Sequence, residues 1–397
     1  MNKKTTRVIV GAAVALSWMA NAVMAQQADA GKPQETLKGP IKVFILAGQS
    51  NMEGHGGVMT LDRLGEHPTH GHLLKKIKKD DGSFVVRDDV FVSYKKEDEH
   101  IKRPLSVGMG AWGKDWFGPE LMFGIEMGDF FKEPVLLIKT CWGGHSLYGN
   151  FRPPSAGKAA YETGYKPEEI GASYRKMVKE VHECLANLDT DFPQIKGLTP
   201  ELCGFVWFQG WNDMCQPGDT TRQQVYDEYC PNFVHLVQDL RAEFKVPNLP
   251  VVIGELGVGG EKADKNMMDF RAAQAKIATC PELKGTVGYV RTAPFWYPEL
   301  DELPAKMNAE ENRVRKAVAL KLKEQLKDTP ESADPKKMEQ IIREAGDKAL
   351  IDDAAYQNAK KESDRHICNW YCHYQGSARV YCMVGFSLAE AMKPLLK

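Results

Sequence analysis

Five short apolar runs, each ending at glycine or a polar cluster, constrain this chain more than any other feature. They cover residues 41–47, 134–139, 202–208, 250–255 and 285–292. Apolar runs of this length, bounded by turn residues, read as buried strands. Helical patterns lie between them. Tyr174, Met177, Val178, Val181 and Leu185 share one face of a segment over 167–187. Phe233, Leu236, Val237 and Leu240 share one face of a later one. Further helices are expected over 117–131, 266–280 and 385–396. Strands alternating with helices predict a parallel sheet covered on both faces. In such sheets, chemistry collects at the carboxyl ends of the strands.

The chain has 397 residues, enough for two domains or one domain with insertions. Its formal net charge of −1 gives no support to a nucleic-acid or acidic-membrane role. Residues 1–25 have the form of a signal peptide: Lys3, Lys4 and Arg7, an apolar segment from Val8, then Val23-Met24-Ala25. The expectation is a secreted or periplasmic protein with a polar, disordered lead-in over 26–39 and no membrane association after processing. Export makes the nine cysteines a redox question, and an odd count leaves at least one thiol unpaired within the chain. Cys215 with Cys230, and a pair among Cys368, Cys372 and Cys382, are near enough in sequence to bridge. Residues 55–116 read as a long irregular region with one short hairpin near Ser83–Val86, and its His55, His67, His70 and His72 read as surface residues. Their spacing fits no metal template, in keeping with that surface reading, and no cofactor is expected. From 305 to 361 the chain turns charged and helix-prone, which reads as a surface insertion of two helices broken at Thr329-Pro330.

Four segments fall at ends of elements: Gly48-Gln49-Ser50-Asn51, Gly143-Gly144, Gly210-Trp211-Asn212-Asp213 and Cys372-His373-Tyr374. Acyl transfer needs a hydroxyl nucleophile, a base and donors for the oxyanion. Ser50 supplies the hydroxyl, although Met52 shows that this is not the Gly-x-Ser-x-Gly elbow. His373 supplies the base. The Ser50 and Gly144 backbone N–H groups and the Asn212 side chain supply the donors. Activity is then expected to fall as pH drops through an imidazole pKa of roughly 6.5.

This pattern resembles the SGNH (GDSL-like) hydrolase superfamily. Ala47-Gly48-Gln49-Ser50-Asn51-Met52, Lys139-Thr140-Cys141-Trp142-Gly143-Gly144, Phe151-Arg152-Pro153-Pro154, Trp207-Phe208-Gln209-Gly210 and His373-Tyr374-Gln375-Gly376 resemble its sialate O-acetylesterase and acetylxylan esterase group. The resemblance implies a three-layer α/β/α fold on a five-stranded parallel sheet, a covalent acyl-serine and no metal. It also implies an acetylated carbohydrate substrate, sialic acid or a plant or marine polysaccharide. Gln49, Asn51, Gln209, Arg152 and Trp211 are expected to meet that substrate. Trp142, Tyr148, Trp211, Trp296 and Tyr297 are candidate stacking walls for a sugar.

Two positions depart from the group. Trp211 stands where a Glu is common, and Trp370 stands where the superfamily places the acid that orients the histidine. Glu255, at a strand end, and Asp364, just upstream, are the candidate replacements, with a backbone carbonyl or a bare Ser–His dyad as alternatives. The missing acid also opens the reading of a non-catalytic carbohydrate-binding protein on the same fold. Cys368-x-x-x-Cys372-His373 is one residue longer than the c-type haem spacing.

Overall fold

The computed structural model describes residues 39–215, 218–327, 329–330 and 334–397. The signal-peptide and lead-in segments lie outside the described residues, apart from Gly39. Seven strands form one sheet: β1 (Pro40–Gly48), β2 (Val90–Lys95), β3 (His100–Pro104), β4 (Val135–Cys141), β5 (Thr199–Phe208), β6 (Val251–Gly254) and β7 (Val287–Val290). Their order is β3-β2-β4-β1-β5-β6-β7. All neighbours are parallel except the β2–β3 hairpin at one edge.

The five strands expected from the apolar runs form a contiguous block, and the β2–β3 hairpin corrects the reading of 55–116 as irregular. Val90-Phe91-Val92-Ser93-Tyr94 is buried against β4, but its partner His100–Pro104 is an edge strand with exposed His100, Lys102 and Arg103. Those charges hide a strand from an apolar-run search, and they also blunt an edge that would otherwise pair with other chains.

Helices cover both faces, which is why the central strands read as continuous apolar runs. Helices α1 (Glu120–Phe130), α2 (Ala172–Ala186), α3 (Asp219–Glu243) and α4 (Lys265–Ala275) follow the strands, and the last helix, here α8, spans Ala378–Met392. On one face Phe44 of β1 meets Phe123 of α1 edge-on, 5.4 Å between ring centres. On that face Gly204 of β5 also leaves room for Met392 of α8. On the other face Trp207 of β5 packs on Phe233 of α3. Among the described residues the helical insertion has three α-helices rather than two: α5 (Glu299–Gln325), α6 (Pro335–Asp352) and α7 (Ala354–Asp364). Asp353 caps α7 by accepting from the Tyr356 N–H at 2.9 Å, a break masked by helix formers on both sides. The helices pack on one another, and Arg313 and Arg315 of α5 reach Asp353 and Asp347.

Lys139 of β4 fixes the end of the sheet that carries Ser50. Its side chain and that of Glu120 are fully buried and lie 2.9 Å apart. The same ammonium donates to the backbone oxygens of Glu53 and Met109 at 2.7 and 2.8 Å. Removing one member of a buried pair strands the other charge. Lys139→Met is therefore expected to cost about 3–5 kcal/mol in urea unfolding. A loss under about 1 kcal/mol, the scale of a surface ion pair, would contradict this role.

Candidate active site

Strand register brings the site together. Gly48 of β1 stands level with Cys141 of β4 on one side and Phe208 of β5 on the other. Two residues beyond each lie Ser50, Gly143 and Gly210, so three segments distant in sequence meet at one sheet edge. A helical turn, Ser50–Glu53, starts directly from β1. Glycine is required on both sides of it. Gly48 has φ +155°, and a Cβ there would lie 2.1 Å from the Phe208 carbonyl oxygen. Gly54 has φ +96°, and a Cβ there would lie 2.2 Å from the Gly118 nitrogen.

His373 arrives from the other end of the chain on a tight turn over Tyr371–Gly376, just before α8. Tyr374 and Gln375 follow it in the left-handed region, φ +51° and +56°, which is costly for side-chain-bearing residues. The buried Tyr374 hydroxyl holds this turn by accepting from the Gly257 N–H at 2.8 Å and pairing with Thr292. As placed, His373 Nε2 is 3.1 Å from Ser50 Oγ. Its Nδ1 is 3.1 Å from the Oδ1 of Asn369. An amide oxygen can only accept, so this contact places the ring proton on Nδ1 and leaves Nε2 bare toward Ser50. Burial lowers the His373 pKa from the ordinary 6.5 to about 4.

Asn369, four residues before His373, is thus the orienting partner, and both carboxylate candidates are corrected. Glu255 is buried and holds the β6–β7 ends together, accepting from the Tyr289 hydroxyl at 2.9 Å and the Ala293 N–H at 3.3 Å. Asp364 is exposed at the end of α7 and pairs with Lys360. A search for an acid three residues before the histidine passes over an amide at four. Its one sequence signal is that Asn also partners a catalytic His in some cysteine proteases.

The expected oxyanion donors lie on the same edge. Among the described residues, neither the Ser50 nor the Gly144 N–H is taken up by a hydrogen bond, and nor is the side-chain amide of Asn212. Gly144 has φ +80° with open space where a Cβ would stand. The neighbouring Gly143 N–H is engaged instead by the Glu53 carboxylate, whose pKa is raised by burial against that contact.

The residues expected to meet substrate are mostly structural. Gln49 is buried, and its Oε1 accepts from the Gly210 and Asn212 N–H groups at 3.1 and 3.3 Å, tying β1 to β5. Asn51 is buried and donates to the Cys372 carbonyl at 3.1 Å while accepting from the Tyr381 hydroxyl at 2.8 Å. It joins the nucleophile turn to the histidine turn. Gln209 donates to Asp213 and to the His145 carbonyl, and accepts from the Tyr229 hydroxyl. Arg152 is spent on the Gly157 and Ala156 carbonyls and on Glu228. These side chains satisfy backbone groups that the loops and turns here leave open, a demand as strong as that of a ligand. Trp211 is half-buried.

Of the candidate stacking walls, Tyr148, Trp296 and Tyr297 are buried in the core, while Trp142 lines a cleft of about 590 Å³ beside the site. Gly143, Glu53, His55, His145 and Trp112 line it too. Sequence reasoning missed the exposed rings. Trp112 and Trp370 are 51% and 66% exposed, cross at 82° with centres 5.9 Å apart, and Trp370 lies 5.6 Å from the His373 ring. His55, expected at the surface, is only 3% exposed and stacks on His373. All nine cysteines carry free thiols.

A hydroxyl paired with an imidazole at the carboxyl edge of a parallel α/β sheet, beside unengaged amide donors, is the layout of a serine-type ester hydrolase. The chain belongs to the carbohydrate esterase family of sialic acid-specific acetylesterases, which it matches over residues 40–289, and it is a carboxylic ester hydrolase. It is 22% identical over 261 residues to a probable carbohydrate esterase of Arabidopsis thaliana, spanning 64% of this chain and 85% of that protein. The crystal structure of that Arabidopsis protein covers 64% of this chain and 86% of its own at a TM-score of 0.39 and 18% identity. A carbohydrate acetylesterase from Xanthomonas citri aligns with 63% of this chain and 49% of its own, at a TM-score of 0.39 and 18% identity. NanS aligns with 64% and 78%, at 0.38 and 13%.

Proposed function

We propose that this protein is an exported serine esterase that removes O-acetyl groups from a carbohydrate through an acetyl-Ser50 intermediate. The observation that carries the reading is the 3.1 Å contact between Ser50 Oγ and His373 Nε2. Ser50 Oγ attacks the ester carbonyl carbon as its proton passes to His373 Nε2. The oxyanion accepts from the Ser50 and Gly144 N–H groups and the Asn212 amide. Collapse of the tetrahedral species breaks the bond to the sugar oxygen, which takes the proton from His373. Water, deprotonated by the same imidazole, then releases acetate and frees Ser50.

Through the cycle Asn369 keeps the Nδ1 proton in place. It brings no negative charge, so the imidazolium is stabilised less than beside an aspartate, in line with the low His373 pKa. Export rests on the signal-like pattern of residues 1–25. Support for a sugar comes from the family and from two exposed rings, Trp370 beside the His373 imidazole and Trp112 beside Trp370, which offer stacking surfaces for a pyranose ring. Sialic acid and acetylated plant or marine polysaccharides both fit this description.

Acetate release across a panel of O-acetylated sialosides, xylans and other polysaccharides tests the reading and ranks the substrates. No release from any of them, with folded protein, would overturn it. The oxyanion assignment has its own test. Asn212→Ala is expected to lower kcat by about 10²–10³-fold with little change in KM. A change under about threefold would remove Asn212 from the donor set.

A further inference from the structure

The mechanism above gives no task to His55, a buried titratable group beside the base. His55 lies just past the nucleophile turn, and its ring is stacked on His373 with centres 3.7 Å apart and planes 7° from parallel. Asn369 bridges the two rings at their edges. Its Oδ1 faces His373 Nδ1 at 3.1 Å and its Nδ2 faces His55 Nδ1 at 3.3 Å. The Trp370 N–H donates to that same Oδ1 at 2.6 Å, which fixes which end of the amide is oxygen. The amide nitrogen only donates, so His55 Nδ1 must be bare and the His55 proton sits on Nε2. That Nε2 is buried and has no hydrogen-bond partner among the described residues. Trp112 closes the ring in edge-on at 4.8 Å, and the Tyr381 hydroxyl lies against the His55 backbone N–H.

We infer that His55 is a positioning residue for the general base, clamping the face of the His373 imidazole and, through Nδ1, the Asn369 amide that fixes its tautomer. This rests on the proposed Ser50–His373 mechanism. An acid partner would hold the base by charge. Here the same result comes from shape and complementary donors: a stacked ring sets the plane of the imidazole, and a bridging amide sets its rotation. His55 gives up no proton in the cycle. When His373 takes the Ser50 proton, its two N–H groups point to the leaving oxygen and to Asn369 Oδ1, and His55 stays a neutral ring beneath the cation. Burial, the neighbouring His373 and Lys139 all lower the His55 pKa, to about 3, so it remains neutral through the cycle.

His55→Phe keeps a flat ring against His373 and Trp112 but deletes the Nδ1 acceptor. Its kcat for p-nitrophenyl acetate is expected to fall about tenfold or more with KM within about threefold, because a mis-set tautomer slows chemistry rather than binding. If His55 acts through Asn369, the losses are not additive: His55→Phe on an Asn369→Ala background should cost less than about twofold more. Long-range ¹H–¹⁵N spectra of the resting protein give a readout independent of turnover. They are expected to show His373 as the Nδ1–H tautomer in the wild type and as a mixture in His55→Phe. Should His55→Ala fail to fold, the phenylalanine variant still decides the question. Wild-type tautomer and near wild-type kcat in folded His55→Phe would overturn the assignment, as would additive losses. An inactive wild type would instead sink the esterase reading, and the tautomer measurement would still report on His55.

Discussion

Ser50→Ala is expected to lower kcat on p-nitrophenyl acetate by at least about 10⁴-fold while leaving the thermal melt unchanged. The size follows from what is lost. Without the hydroxyl no acyl-enzyme forms, and only the oxyanion donors and binding remain to act on a water attack. Stability should not suffer, because Ser50 is only half-buried and its side-chain contact is with His373. The neighbouring amides behave differently. Gln49 and Asn51 hold the turn to β5 and to the histidine turn, so truncating them should lower stability as well as activity. A Ser50→Ala variant with full activity would remove the mechanism.

His373→Ala should cost about as much, and the double variant little more than either single one, since nucleophile and base act as a unit. The wild-type pH profile gives the finer test. The base works when neutral, and a lowered pKa keeps it neutral to lower pH. With His373 at about 4, kcat/KM should stay level from neutrality to about pH 5 and fall only below that. The sequence alone puts this limb near the unperturbed imidazole value of roughly 6.5. The shift comes from burial, which penalises the cation, and the partner at Nδ1 is a neutral amide that supplies no offsetting charge. A limb at 6.5 or above would mean that a negative charge supports the imidazolium in solution.

The five-strand block of the sheet and the two residues of the Ser50–His373 contact were legible because both follow from local pattern. An apolar run stopping at Gly48 announces a strand end, and a serine two residues later inherits its position. His373 was legible from its motif and from sitting before an apolar helix, although that helix begins at Ala378, earlier than periodicity alone suggests. Contacts between distant segments were not legible. Gln49, Asn51 and Gln209 carry the same amide whether it faces a sugar or an orphan backbone N–H, and only the fold decides. His55 stands near three other histidines in a charged stretch that reads as surface, yet the His373 turn and the Trp112 segment bury it. Asn369 and the exposed Trp370 were masked by the expectation of an acid at position 370, which drew attention to a missing charge instead of the adjacent amide.

Rapid acid quench of the protein turning over p-nitrophenyl acetate, followed by peptide mapping by mass spectrometry, bears most directly on the central claim. The wild type should carry acetate on the peptide that contains Ser50, and Ser50→Ala should carry none there. Acetate on a different side chain, or an active enzyme that never acquires an adduct at any quench time, would contradict it.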